Sequence, residues 1–329
     1  MKDIIELKLK GLWSGILKKQ ISSSQDTFQS LGGDSLNIVF LATAINEEFK
    51  THFPSVWIVE NPTIELQAKA LRKSAECVVS YNPLICFNEK GHSLPLVLIH
   101  PALAGAEVYD ELAAKLNKNI PFYAIDSYNL NSGEPFMESI EALALKYSGY
   151  LREKFPKGPY LLGGWSAGGI IAYEMAQQLT ALGCEVKKVY LIDTRVHSKA
   201  YLEYLCENIN RETVLEALPD KLSQYLASLP KKYHKQAVRS LKQDYLLLER
   251  YKIRPYFNDV LLFKTTHNNA FVRFLSKLKD NPWKPYAKSL EIIPIVGDHF
   301  NIIEGEQALQ LAEALEKDIE FISEYQSIV

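Results

Sequence analysis

Apolar residues recur near the start of the chain as Ile5, Leu9, Leu12 and Ile16, a stripe down one side of an amphipathic helix over residues 2–18. The polar stretch KKQISSSQDTFQSLGGD then breaks the pattern. From Ser35 to Phe49 the positions Ile38, Leu41, Ala42, Ile45 and Phe49 share a helical face, so Ser35 is expected at a helix start, just after Asp34. Asn61-Pro62 reads as an N-cap with proline at the first helical position, opening a helix that carries Ile64, Leu66, Ala68 and Leu71 up to Arg72-Lys73. Residues 1–75 are therefore expected to form a small all-helical unit, followed by a junction at 76–82.

Beyond this point the texture changes. Short β-branched runs alternate with helical patterns: PLVLIH (95–100), PFYAID (121–126), YLLGGWS (160–166), KVYLID (188–193), DVLLFK (259–264) and EIIPIV (291–296). Runs apolar on both sides suit central strands of a parallel sheet whose faces are covered by the intervening helices, so residues 83–329 are expected to be an α/β domain. The stretch of about 65 residues between Asp193 and the strand at 259 is too long for a plain loop and reads as a helical insertion rich in Tyr, Leu and Lys.

Composition narrows the function classes. The 329 residues include 37 Lys/Arg and 39 Asp/Glu, a net charge of -2, which argues against nucleic-acid binding through bulk charge. Charged residues interrupt MKDIIELKLKGLW, so no signal peptide is expected there, and no run of 18 apolar residues predicts a membrane span. Cys77, Cys86, Cys184 and Cys206 show no CxxC spacing and read as ordinary buried thiols of a cytoplasmic protein, with no metal site expected.

The sharpest chemical motif is Gly164-Trp165-Ser166-Ala167-Gly168, between the strand YLLG and the helix IIAYEMAQQL. A serine on such a tight strand-to-helix turn needs small neighbours two positions away on each side, and the turn lifts its hydroxyl above the sheet. A serine hydroxyl needs a base, and the base needs an acid to hold its tautomer. Asp193, ending KVYLID, suits the acid, and His299, in Gly297-Asp298-His299-Phe300 after the last strand, suits the base. Competing readings are Asp126 as the acid and His267 as the base, while Asp298 is expected to shape its loop and His100 the loop beside the site. His52, His92, His197 and His234 fit neither the order nor a strand end. Two backbone donors should bind the oxyanion: the amide of Ala167, next after the nucleophile, and that of Ala102, in the loop after PLVLIH.

Leu31-Gly32-Gly33-Asp34-Ser35-Leu36 resembles the phosphopantetheine attachment site of acyl and peptidyl carrier domains. HPALAGAEVY, GPYLLGGWSAGGIIAYEMAQQL, LIDT and GDHF resemble the type I thioesterase domains that end nonribosomal peptide synthetase and polyketide assembly lines. The two resemblances together imply a four-helix carrier domain followed by an α/β-hydrolase thioesterase with a helical lid at about 197–256. They imply a covalent 4′-phosphopantetheine on Ser35, added by a phosphopantetheinyl transferase, and a triad of Ser166, Asp193 and His299 with oxyanion donors Ala102 and Ala167. The carrier unit departs from acidic fatty-acid carriers: nine Lys/Arg and eight Asp/Glu in residues 1–75 give net +1, closer to peptidyl carriers. The implied activity is release of an acyl or peptidyl chain from the chain's own carrier, by hydrolysis or cyclisation, with upstream synthetase or loading enzymes acting in trans or belonging to a larger protein of which this chain is a fragment. Editing of misloaded carriers, a non-catalytic docking domain and a free esterase are the competing functions; the last leaves LGGDSL unexplained.

Overall fold

The computed structural model describes residues 4–49, 51, 53, 55–74, 82–132, 135–197, 202–203, 207, 231–267 and 283–326. The chain opens with helices α1 (Ile4–Leu17), α2 (Ser35–Phe49), α3 (Val56–Glu60) and α4 (Ile64–Ser74). Their shared core holds Leu9, Trp13, Phe28, Ile38, Leu41, Ile45, Ile64 and Ala68. Trp13 is fully buried, so its indole N–H needs a partner, and it donates to Gln67 Oε1 at 2.9 Å.

One expected helix boundary is wrong. The last helix of this unit starts at Ile64, not after Asn61, because Asn61 ends α3, its side-chain amide donating to the Trp57 carbonyl at 3.0 Å. Pro62 then accepts from the Phe28 amide at 2.8 Å, and Thr63 Oγ1 caps the Leu66 amide at 3.2 Å. The five-residue α3 is too short to show a helical period, which is why the sequence pattern misses it.

The second unit is a seven-stranded sheet in the order β1-β3-β2-β4-β5-β6-β7. Its elements are β1 (Leu84–Asn88), β2 (Leu96–Ile99), α5 (Asp110–Lys115), β3 (Phe122–Ile125), α6 (Tyr128–Asn131), α7 (Ile140–Lys154), β4 (Tyr160–Trp165), α8 (Ala167–Ala181), β5 (Val186–Ile192), α9 (Lys231–Arg250), β6 (Tyr256–Thr265), β7 (Ala287–Ile295) and α10 (Gly305–Gln326). All neighbours run parallel except β1, which pairs antiparallel with β3. One face of the sheet packs on α7 and α8 through Leu143, Tyr147, Ile171 and Met175, the other on α5 and α10 through Leu112, Leu311 and Leu315. Strands buried on both faces need apolar residues at every position, hence LVLI in β2 and FYAI in β3, both buried throughout.

Two further expectations need correction. The run EIIPIV lies in an edge strand: β7 leaves Ile292 49% exposed, and Pro294 fits there because an edge strand has an amide to spare. Cys86 is an exposed thiol on the edge strand β1, not a buried one, whereas Cys184 is buried. Cys77, Cys206 and the 76–82 junction save for residue 82 lie outside the described residues, as does most of the first half of the 197–256 insertion. The insertion's described helix, α9, ends at Arg250, and its last expected residue, Tyr256, already begins β6. Among the described residues no helix is long and apolar enough to cross a membrane.

The two units touch. Val56 of α3 is buried within the α5/α10-side core of the sheet domain, and Leu241 and Tyr245 of α9 pack on the core of the helical unit. Replacing Trp13 with alanine should remove about 3–5 kcal/mol from the helical unit, since it opens a cavity and orphans Gln67. Hydrogen exchange should then show lost amide protection in α1, α2 and α4 with far smaller changes in β2 and β4.

Candidate active site

Every residue singled out for chemistry in the sheet domain sits where a strand runs out at its C-terminal edge. The strand order reverses around β2 and β4, which opens a crevice at that edge. Ser166 follows β4 and takes φ 56°, ψ −123°, at the N-cap position of α8 but without a side-chain cap bond. Its amide donates to the Ile192 carbonyl at 3.0 Å, which ties the turn to β5. The flanking glycines answer to space: a Cβ on Gly164 would lie 2.4 Å from the Gly168 carbonyl carbon, and one on Gly168 would lie 2.2 Å from the Ile99 carbonyl oxygen. Helix α8 therefore starts against the end of β2, with its N-terminus aimed at the serine.

The structure brings His299 and Asp193 to this serine. His299 Nε2 lies 3.1 Å from Ser166 Oγ, and Nδ1 lies 2.7 Å from Asp193 Oδ2. With the Nδ1 proton donated to the carboxylate, Nε2 is free to accept the serine proton. Trp165 fixes the histidine from outside: its indole N–H donates to the His299 carbonyl at 2.9 Å. Asp193 is 2% exposed and has a positive φ of 40°, and its other oxygen accepts from the Thr265 hydroxyl at 2.9 Å and amide at 3.2 Å. Burial alone would push the Asp193 carboxyl up. The hydrogen bond and charge of His299, the Arg195 guanidinium and the Thr265 amide outweigh it and hold the carboxyl well below the usual carboxylate range.

The competing candidates lie elsewhere. Asp126 is buried at the end of β3 and accepts the Ala106 amide at 2.9 Å. His267 is exposed, with its backbone tied to Gly297 at 2.8 Å. Asp298 accepts the amides of Phe300 and Asn301 at 2.8 and 3.2 Å, which shapes the histidine loop. His100 is buried, and burial holds it down at about 4. As a neutral ring it donates from Nδ1 to the Pro101 carbonyl and accepts the Tyr147 hydroxyl at Nε2, both at 2.8 Å.

Ala102 and Ala167 line the same cavity as Ser166, Asp193 and His299. Ala167 is the first residue of α8, so its amide is one of the unpaired donors of a helix start. The loop bearing Ala102 is pinned by the insertion: the Leu103 amide, at φ 67°, donates to Asp244 Oδ2 of α9 at 3.1 Å. Asp244 is buried, which raises its carboxyl to about 7 against the opposing bond from Leu103. Sequence reasoning did not place five more wall residues: Ile170, Arg195, His197, Tyr245 and Leu248. Arg195 could have been found two positions after the strand-end aspartate, and it pairs with Asp193 Oδ2 at 3.3 Å. His197 had been set aside, yet it lies in the wall, held near 4 by burial with the charges of Arg195 and His299 adding to it.

In the helical unit, Ser35 is the first residue of α2. Asp34 Oδ1 caps that helix, accepting the Asn37 amide at 2.9 Å, so the helix start does not require the serine as its cap. Gly32 and Asp34, the latter just before Ser35, are exposed, while Gly33 is buried.

Comparison with known proteins gives two family matches, a thioesterase domain over residues 94–319 and a phosphopantetheine attachment site over residues 8–71. An atromentin synthetase of Tapinella panuoides is 30% identical over 202 residues, spanning 58% of this chain and 21% of that protein. A protein of Paxillus involutus named as an inactive atromentin synthetase is 30% identical over 198 residues, again spanning 58% and 21%. The chain thus spans about a fifth of the length of the curated relatives it matches. Among solved structures, a holo four-domain nonribosomal peptide synthetase bound to AMP and glycine matches with TM-score 0.62 and 25% identity, covering 96% of this chain and 26% of that one. The NocB thioesterase domain from the nocardicin cluster matches in fold, with TM-score 0.56 and 24% identity over 72% of this chain and 98% of that domain.

Two outcomes follow from the geometry. Asp193→Asn keeps the shape but presents the wrong proton to His299, so fluorophosphonate labelling of Ser166 should slow by roughly 10^3-fold. In Asp244, the folded state holds a proton that the unfolded chain releases between about pH 4 and 7, so its contribution to stability falls as pH rises through that window. Asp244→Asn, which keeps an acceptor for Leu103, should match the wild type at pH 4. At pH 7.5 it should be more stable by roughly 2–4 kcal/mol in denaturant titration.

Proposed function

This chain belongs to the thioesterase-domain family, and on that premise we propose that it releases an acyl or peptidyl chain held as a thioester on its own carrier region, through an acyl-Ser166 intermediate. The phosphopantetheine attachment site makes 4′-phosphopantetheine its covalent cofactor and a phosphopantetheinyl transferase its partner. Ser35 would bear the group, which supplies, when bound, the thiol that carries the acyl chain as a thioester.

In this reading Ser166 attacks the thioester carbonyl while His299 Nε2 takes its proton, and Asp193 stabilises the imidazolium that forms. The amides of Ala102 and Ala167 donate to the developing oxyanion, and each such donor contributes about 2.7–4 kcal/mol by analogy with side-chain donors. His299 then returns the proton to the leaving sulfur. In the second half it deprotonates water, or a hydroxyl or amine of the acyl chain, which attacks the Ser166 ester, and it returns that proton to Ser166 Oγ as the acyl chain leaves. A carrier in the same chain replaces affinity by effective concentration, so a small contact between the units suffices for delivery. Upstream synthetase or loading enzymes are the proposed source of the acyl chain.

The observation that supports this most is the Asp193–His299–Ser166 chain of contacts at 2.7 and 3.1 Å in a polypeptide that also holds a carrier site. A relative named as inactive makes the docking alternative worth separating by experiment. When Ser35 is loaded with an acyl-phosphopantetheine and intact mass is followed, the wild type should lose the acyl mass and Ser166→Ala should keep it. Equal loss from both proteins would contradict the proposal.

A further inference from the structure

Ser55 stands at the N-terminal boundary of α3, a position where serine commonly caps its own helix, yet its side chain makes no such bond. It is fully buried, and its hydroxyl reaches out of the helical unit to donate to Glu107 Oε2 at 2.5 Å. Glu107 belongs to the 3-10 turn Ala106–Tyr109, which directly follows the loop bearing Ala102. Its other oxygen accepts the Gly105 amide at 2.8 Å, and the neighbouring Ala106 amide is held by Asp126 at 2.9 Å. The groups converge so closely that a Cβ on Gly105 would lie 2.1 Å from Asp126 Oδ1, 2.4 Å from Glu107 Oε2 and 2.6 Å from Ser55 Oγ. Only glycine fits where carrier, loop and strand end meet.

The same turn also reaches the nucleophile. The Tyr109 hydroxyl donates to the Ile99 carbonyl at 2.7 Å and accepts the Trp165 amide at 2.9 Å, one residue before Ser166. A shift of Glu107 therefore acts in two directions, toward Ala102 through Gly105 and toward Ser166 through Tyr109. A buried carboxylate keeps its place only while donors surround it, and one of its donors here comes from the carrier.

We propose that the carrier region, besides bearing the arm, positions the hydrolytic site: Ser55 holds Glu107, and through Gly105–Tyr109 sets the Ala102 amide and the Ser166 turn. The docked carrier then raises the reactivity of Ser166 toward any acyl group, including one that is not tethered to it. Ser55 and Glu107 are positioning residues, since neither touches the reacting atoms. The inference rests on Ser166 as nucleophile and Ala102 as oxyanion donor.

The test uses the full chain, an acyl-N-acetylcysteamine thioester that bypasses the arm, and a fluorophosphonate that labels Ser166 whatever the natural acyl group. Ser55→Ala should lower kcat for the free thioester about tenfold with KM within about twofold, and should slow labelling by the same factor. Glu107→Gln can still accept from Gly105 and meet the Ser55 hydroxyl, so it should stay near wild type. Glu107→Ala should fall at least as far as Ser55→Ala, and the Ser55→Ala/Glu107→Ala double variant no further than Glu107→Ala, as a route through one carboxylate requires. If Glu107→Ala does not fold, the comparison of Ser55→Ala with Glu107→Gln decides alone. Ser55→Ala with wild-type kcat and labelling overturns this inference while leaving the thioesterase reading intact. A wild type that neither turns over the thioester nor reacts with the probe overturns both.

Discussion

The proposed reacting centre depends on one backbone constraint: a serine held at φ 56°, ψ −123° between a strand and a helix. A non-glycine residue in such a conformation costs about 1–3 kcal/mol, and it persists only where the surroundings over-determine it. Here the Ser166 amide is bonded to β5, the residue before it is bonded to Tyr109, and α8 is packed against the end of β2 with no space for a side chain at Gly164 or Gly168. The strain is the means by which the hydroxyl leaves the strand direction and meets an imidazole arriving from the other end of the chain. It also leaves the α8 N-terminus, with its unpaired amides, beside the same oxygen.

Around that turn, buried carboxyl groups do the positioning. Asp193 orders His299 from β5, Asp126 holds the Ala106 amide from β3, Glu107 holds Gly105 from within the loop, and Asp244 holds Leu103 from the insertion helix. Each sits out of water, where a lost bond is costly, and this makes the loop over the site stiff rather than adaptable. The arrangement also joins the parts of the molecule: β3, the insertion and the helical unit each send a group to one short segment after β2. Tyr245 adds an apolar link, packing on the helical unit's core and lining the cavity beside Ser166.

Much of this was legible in the sequence, for definite reasons. Central strands buried on both faces must be apolar throughout, so β2, β3, β4 and β5 stood out, while β1 did not, being a half-exposed edge strand with a burial pattern like that of a loop. The glycines around Ser166 and the strand-end positions of Asp193 and His299 are local or topological signals, and both survive in one dimension. What could not be read was whatever depends on two distant segments meeting. Arg195 and His197 reach the cavity only because the chain after β5 turns inward, and Asp244 matters only because α9 lies over Leu103. Nothing in the sequence singles out Ser55, since its partner lies 52 residues away. Asn61 was misread by the same blindness: a good N-cap residue was in use at the C-terminus of a helix too short to detect.

The central claim is that an acyl group passes from Ser35 to Ser166 within one molecule before it is released. Rapid-quench peptide mapping of the loaded chain, using an isotopically labelled acyl group, tests this most directly. The label should leave the peptide containing Ser35, appear transiently on the peptide containing Ser166, and then be lost, with a rate independent of protein concentration. Release of the label without any passage through Ser166, at a rate unchanged after fluorophosphonate capture of that serine, would contradict the account.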